Sequence, residues 1–181
     1  MTMAVYFDDG ACGTQLYGNV FYKAGSRTIM LGGGSYNPIY NNIFIGSELA
    51  IHLDNRLEKE GKSGPSKGSI IDIRLKQVNY NSSPYSQAYP GLATYFKDHL
   101  ETPQHNDIEN NVFVNIGQLH NGEAEWGPIH DNNLITKEDP GFMDASKLNF
   151  TLKESAEVFK KLPGFKSIPF KEMGLRNNQN K

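Results

Sequence analysis

Three short apolar runs of the sequence read alike but end in different residues. They are AVYFDDG from Ala4, TIMLGGG from Thr28 and AIHLDNR from Ala50. The first run ends in Asp8 and Asp9, the third ends in Asp54, and the run between them ends in glycines. If the runs pair side by side as strands, Asp8 and Asp54 flank the side-chain-free Gly32.

Two carboxylates at that spacing could perform general acid–base chemistry. Neighbouring strands lie about 4.8 Å apart, so Asp8 and Asp54 are expected about 9–10 Å from each other. Inverting glycosidases hold their two carboxyl groups about 6.5–9.5 Å apart, which leaves room for a water molecule beside the sugar. The pattern therefore predicts Asp8, Asp9 and Asp54 as catalytic residues around a gap that the glycines keep open.

The residues beside these acids suit substrate binding. Strand alternation places Tyr6 and His52 on the same outer face as the acids. Tyr6 would offer a ring for sugar stacking, His52 and Arg56 could bind hydroxyls or a uronate, and Tyr36 is a further binding candidate. The alternative is that Asp-Asp-Gly and Asp-Asn serve only as turn residues, with His52 as a solvated surface histidine.

A repeat of about 23 residues positions these candidates. A second phrase recurs as LYGNVFYKAG, IYNNIFIGSE and IENNVFVNIG, which places Phe21 and Phe44 23 residues apart and Phe44 and Phe113 69 apart. The longer interval equals one repeat plus an insertion of 69 − 23 = 46 residues. Two short strands per repeat predict parallel stacking, with the asparagine pairs bonded to one another at one corner. An antiparallel sandwich with asparagine-rich turns is the alternative.

The repeat predicts an all-β fold, a single-stranded right-handed parallel β-helix of three to four coils. Residues 1–56 would form the first coils, 57–104 an inserted loop with a short helix from Pro90, 105–138 the last coils, and 139–181 a cap over the end of the last coil. The predicted core consists of Val5, Phe7, Phe21, Ile29, Leu31, Phe44, Ile51, Leu53 and Phe113.

Composition narrows the classes of partner. The chain has 181 residues with 18 basic and 20 acidic side chains, and it lacks the basic stripe that would indicate nucleic-acid binding. Its longest apolar runs are too short to span a membrane. The single Cys12 excludes an internal disulfide. His120, His130 and Glu123 match no metal motif and are expected in loops, so we expect no metal cofactor.

Much of the sequence resembles a carbohydrate-active lineage. The phrases VYFDDGACGTQLYGNVFYKAG, IMLGGGSYNPIYNNIFIG, AIHLDNR, DPGFMD and IPFKEMGL resemble bacterial right-handed parallel β-helix proteins, among them fucosidase- and xylanase-type glycoside hydrolases. The resemblance implies the C-terminal portion of a hydrolase that acts on a poly- or oligosaccharide. It also implies a secreted, periplasmic or cell-surface parent, although this chain shows no signal peptide.

Two other functions stay open. A polysaccharide lyase of this kind would hold Ca²⁺ with Asp8, Asp9 and Asp54 and use Arg56 or Lys23 as the base. A non-catalytic module would bind glycan through its outer aromatic residues without turning it over.

The first coil lacks a cap, so its strand edges are expected to be unpaired. We therefore expect self-association, or further coils upstream of Met1 that supply a second catalytic residue. In the latter case the isolated chain would be inactive.

Overall fold

The computed structural model describes residues 2–59, 66–97 and 102–174. Within these residues the strands are β1 Met3–Phe7, β2 Leu16–Tyr17, β3 Val20–Tyr22, β4 Arg27–Gly32, β5 Ile39–Tyr40, β6 Ile43–Ile45, β7 Leu49–Asp54, β8 Ile108–Glu109, β9 Val112–Val114, β10 Gln118–Gly122, β11 Leu134–Thr136, β12 Phe142–Asp144 and β13 Asn149–Leu152. The helices are α1 Arg56–Lys59, α2 Ile70–Gln77, α3 Tyr85–Ala88 and α4 Val158–Lys161, and short 3₁₀ turns join several of these elements.

The predicted fold class, an all-β single-stranded parallel β-helix, is wrong. The strands form three separate parallel sheets, in the orders β1-β4-β7-β10, β2-β5-β8 and β3-β6-β9-β11, with β12 and β13 as an antiparallel pair. Helices also occur in the segment between β7 and β8 and near the C-terminus. The repeat spacing specifies which strands pair, but it does not specify how the strands divide among sheets or what the non-repeating segments form.

The predicted strand register is confirmed. Val5 pairs with Ile29 and Ile29 with Ile51 in the first sheet, and Phe44 pairs with both Phe21 and Phe113 in the third. Consecutive strands taken one from each parallel sheet form a tier, so β1, β2 and β3 make the first tier and β4, β5 and β6 the second.

The core lies between the three parallel sheets. The side chains of Ile29, Leu31, Ile51, Leu53, Phe44 and Phe113 are fully buried there, and the rings of Phe21, Phe44 and Phe113 stack at centroid distances of 5.0 and 4.8 Å. Val5 and Phe7 pack against this cluster but are only half-buried, because β1 is the last strand of its sheet.

A ladder of buried asparagines fixes one corner of the tiers. The amide of Asn42 donates to Asn111 Oδ1 at 3.0 Å, and Asn42 Oδ1 accepts from Asn19 at 3.0 Å. Asn111 continues the ladder by donating to Asn133 at 3.1 Å. Since the ladder satisfies backbone groups of adjacent tiers, it sets both the corner and the register.

The segment between β7 and β8 contains more helix than expected. Ser69 caps α2 by accepting from the Asp72 N–H, a helix that the sequence reasoning missed. The predicted helix from Pro90 forms instead as two 3₁₀ turns, Pro90–Ala93 and Tyr95–Lys97, and the rest of it lies outside the described residues.

The C-terminal segment, predicted as a cap over the end of the last tier, covers the outer face of the third sheet with residues 142–168, and residues 175–181 of the predicted cap lie outside the described residues. Its apolar side chains pack on Ile43, Ile45, Val112 and Val114, which lie on the outer face of the third sheet. The segment residues that form this contact are Phe142, Phe150, Leu152, Ala156, Val158, Leu162, Phe165 and Ile168. Strands β6 and β9 are therefore buried on both faces, which explains why the triplets Ile-Phe-Ile and Val-Phe-Val are apolar at every position.

Candidate functional site

Parallel pairing brings the predicted acids together at the carboxyl ends of the strands in the first sheet. Phe7 pairs with Leu31, so Asp8 follows beside Gly32, and Gly32 pairs directly with Asp54. The chain then turns into α1, whose first residue is Arg56. This short helix directs the Arg56 side chain back across the strand ends.

Arg56 joins the three carboxylates into one cluster. Its guanidinium donates to Asp8 Oδ1 at 2.7 Å and to both oxygens of Asp54 at 2.9 and 3.0 Å, and it lies 3.5 Å from Asp9. It also donates to the hydroxyl of Tyr6, and its Cζ lies 5.3 Å from the Tyr6 ring centroid. The bidentate pair with Asp54 fixes the orientation of the guanidinium plane.

The gap expected between Asp8 and Asp54 is filled by this guanidinium. A Cβ built on Gly32 would lie 2.9 Å from Arg56 Cζ and 2.9 Å from the carbonyl oxygen of Phe7. Gly32 therefore makes room for a side chain of the same protein, and it does not hold open a space for water and sugar. The sequence interpretation missed this because Arg56 reaches the gap only through α1.

The cluster favours the ionised forms of Asp8 and Asp54. A hydrogen bond from Tyr6, the backbone N–H of Asp9 and the charge of Arg56 lower the pKa of Asp8. Partial burial acting alone would raise the pKa of Asp54, but the hydrogen bonds and charge of Arg56 outweigh it and lower that pKa. In return, Asp54 is the largest cause that raises the pKa of Arg56.

The cluster presents Asp8 and Asp9 to solvent, while Asp54 and the guanidinium of Arg56 lie beneath them. The side chains of Asp8 and Asp9 are 56% and 78% exposed, whereas those of Arg56 and Asp54 are 20% and 22% exposed. Tyr6 is 43% exposed beside them. The result is a surface of fixed hydrogen-bond acceptors next to an aromatic ring.

Two predicted binding residues make their contacts outside the cluster. His52 pairs with Asn121 in register, and its Nδ1 is hydrogen-bonded to Asn121 Oδ1. Tyr36 stacks on His105 with ring centroids 4.5 Å apart, close to Gly91. The structure therefore brings together Tyr6, Asp8, Asp9, Asp54 and Arg56, and it places His52 and Tyr36 against other partners.

His120 lies in a strand, and not in a loop as expected. It pairs with Ile51 in β10 and so continues the row of Ile29 and Ile51, whose side chains are buried in the core. Its Nε2 is buried and has no hydrogen-bond partner among the described residues, and burial followed by the charge of His52 lowers its pKa. The run Gln-Leu-His-Asn-Gly carried no signal for this position, because its only large apolar residue is Leu119, which alternation places on the opposite face.

The described part of the chain contains neither a metal-binding cluster nor a membrane-spanning helix. Among residues 2–59, 66–97 and 102–174, no group of three or more His, Cys, Asp or Glu side chains is arranged to hold a metal ion. The same residues include no helix with the length and apolar character needed to cross a membrane. A hollow of about 450 Å³ lies between β11 and the C-terminal segment, away from the Arg56 cluster.

Comparison of the chain with protein-family models, with curated proteins and with solved structures finds no match. The chemistry of the cluster must therefore be interpreted from its own geometry.

Proposed function

We propose that this chain is a non-catalytic glycan-binding module whose binding face consists of Tyr6, Asp8, Asp9, Asp54 and Arg56. The observation that carries the proposal is the bridging of Asp8 and Asp54 by one guanidinium. Retaining and inverting glycoside hydrolases both need one carboxylic acid whose pKa is raised so that it can donate a proton. Here the pKa of both Asp8 and Asp54 is lowered, which suits acceptance of hydrogen bonds and opposes proton donation.

Sugar hydroxyls are suitable donors for such a face. A carboxylate accepts hydrogen bonds only, and an acceptor whose orientation is already fixed loses little further freedom when a ligand binds. The ring of Tyr6 lies beside these acceptors and is 43% exposed, which provides an apolar surface for the C–H side of a sugar.

Charge narrows the class of glycan to neutral sugars. Three carboxylates surround a single guanidinium, so the face has an excess of negative charge. A uronate would be repelled by Asp8 and Asp9 and would have to compete with Asp54 for Arg56. The binding of a uronate by Arg56, which the sequence suggested, is therefore not favoured by this arrangement.

The test is titration calorimetry with neutral and uronate-containing oligosaccharides, combined with analysis of the sugar after incubation. Tyr6→Ala should weaken binding of the neutral sugar about tenfold, the upper end expected for one aromatic contact. Tyr89→Ala is the matched control, since Tyr89 is 54% exposed in the segment between β7 and β8. The sugar should be recovered intact.

Three outcomes would reject the proposal. New reducing ends that disappear in Asp8→Asn would establish a hydrolase. Unsaturated, ultraviolet-absorbing products would establish a lyase. Equal binding by wild type and Tyr6→Ala would show that the face around Arg56 is not the binding face.

A further inference from the structure

Among the described residues, strand β1 pairs only with β4, so its other edge carries no strand there, and the hydrogen bonds of the first sheet show which residues face that edge. The Arg27 N–H donates to the carbonyl of Thr2 at 3.2 Å, and Met3 pairs with Arg27. Along a parallel pair, residues bonded to the neighbouring strand alternate with residues whose N–H and C=O point to the other side. Ala4 and Tyr6 therefore bond to β4, whereas the backbone groups of the odd-numbered residues Met3, Val5 and Phe7 point to the free edge.

This edge is complementary to itself. When an identical strand is laid antiparallel and centred on Val5, Val5 lies opposite Val5 of the second copy, and Met3 opposite Phe7 of the second copy. All of these residues have their N–H and C=O on the free edge, so every opposed pair can exchange both hydrogen bonds. The run from Met3 to Phe7 contains no charged residue or proline, which are the features that usually prevent such pairing.

Charges at the two ends of β1 have opposite signs. Asp8 and Asp9 follow its carboxyl end. The corner that contains Lys23 and Arg27 lies at its amino end, where Ser26 and Thr2 are hydrogen-bonded. Because an antiparallel pair exchanges the two ends, the acidic end of each copy would meet the basic corner of the other.

The first tier also has apolar surface for a partner to cover. Val5 and Phe7 are half-buried, whereas Ile29 and Leu31, their paired residues in the second tier, are 0% exposed. A strand added next to β1 would cover the exposed parts of the Val5 and Phe7 side chains, as β1 covers Ile29 and Leu31.

We propose that two copies of this chain associate through β1, by antiparallel pairing of the two strands about Val5. This interface adjoins the proposed glycan-binding face, because Tyr6 lies in β1 and Asp8 and Asp9 follow it directly. The partner is a second copy because the backbone alternation and the end charges are both matched by the same chain in reverse.

Sedimentation velocity over a range of micromolar concentrations, combined with amide hydrogen exchange by NMR, tests the interface. Protection of the Val5 and Phe7 amides should rise with protein concentration together with the dimer fraction. The Ala4 and Tyr6 amides, already bonded to β4, should be protected at every concentration and serve as internal controls. A monomer at 100 µM, or a dimer in which Val5 and Phe7 exchange at the monomer rate, would overturn the proposal.

Charge variants test the pairing of the two ends. Asp9 and Lys23 both have positive φ, 43° and 46°, a conformation that asparagine tolerates, so Asp9→Asn and Lys23→Asn should leave the monomer intact. Each contact occurs twice in a symmetric dimer, and each variant should raise the dimer Kd up to about tenfold. The double variant should dimerise no more weakly than either single variant, because both substitutions remove the same contact. Replacement of the exposed Lys160 by asparagine should leave the dimer Kd unchanged. Additive effects of Asp9→Asn and Lys23→Asn would reject this antiparallel arrangement.

Discussion

Replacement of Asn42 by alanine tests whether the asparagine ladder holds the tiers together. The Asn42 side chain is fully buried, and its Oδ1 accepts from the backbone N–H and the side-chain amide of Asn19. Its Nδ2 donates to the carbonyls of Leu16 and Tyr40 and to Asn111 Oδ1. Alanine removes all of these bonds but preserves the bond that the backbone N–H of Asn42 donates to Asn111 Oδ1.

The expected cost follows from the groups that lose their partners. The Asn19 N–H and the Leu16 and Tyr40 carbonyls each lose a hydrogen bond in a place that water reaches poorly, and each such loss costs about 1–3 kcal/mol. Taking the lower end for three groups and adding the small cavity, we expect about 3–5 kcal/mol of lost stability. A domain of this length should melt about 10 °C lower.

Asn19→Ala is the matched control for this measurement. Asn19 lies at the first-tier end of the same ladder, and its side chain donates only to Tyr17 O and Asn42 Oδ1 near solvent. We expect a cost of about 1 kcal/mol for its loss. Chemical denaturation followed by the fluorescence of Trp126 gives both values. Equal costs for the two variants would refute the claim that the buried middle of the ladder stabilises the stack.

Two further predictions concern His120 and the C-terminal segment. Because the folded-state pKa of His120 is lowered, the unfolded chain binds more protons below about pH 6.5 and stability should fall as the solution becomes more acidic. His120→Leu should remove this dependence between pH 7.5 and 5.5 and increase stability, and an unchanged pH dependence in denaturation would contradict the inward placement of the imidazole. Phe165→Ala should cost about 3–5 kcal/mol because Phe165 is buried against the third sheet, whereas the exposed Met143→Ala should cost less than about 1 kcal/mol. Equal costs of the two variants in the same assay would mean that the segment does not stabilise the sheet.

The register could be predicted because it depends on residues that recur at a fixed spacing. Phe21, Phe44 and Phe113 are separated by one repeat and by one repeat plus an insertion, and they pair as predicted. The asparagine ladder follows from the same spacing. The number of sheets could not be predicted this way, since the spacing defines the neighbours of a strand and not the turns between strands.

The side chain that fills the gap between Asp8 and Asp54 could be identified only from the structure. The sequence places Asp8, Gly32 and Asp54 in one row, but the position of Arg56 depends on a single turn of helix after β7. The outer-face role of the C-terminal segment was predictable in part from the apolar triplets of β6 and β9, which indicate burial on both faces. The inward position of His120 was obscured because a histidine occupies a position that the neighbouring strands fill with isoleucine.

The protonation of Asp8 and Asp54 tests the central claim most directly, because the proposed binding role requires both groups to accept hydrogen bonds in their ionised form. Carbon-13 NMR titration of the side-chain carboxyls in wild type and in Arg56→Met measures it. We predict that the pKa of both groups lies below the ordinary aspartate value of about 3.9 in wild type and rises in the variant. A wild-type carboxyl with a pKa well above that value, as a proton donor requires, would contradict the account.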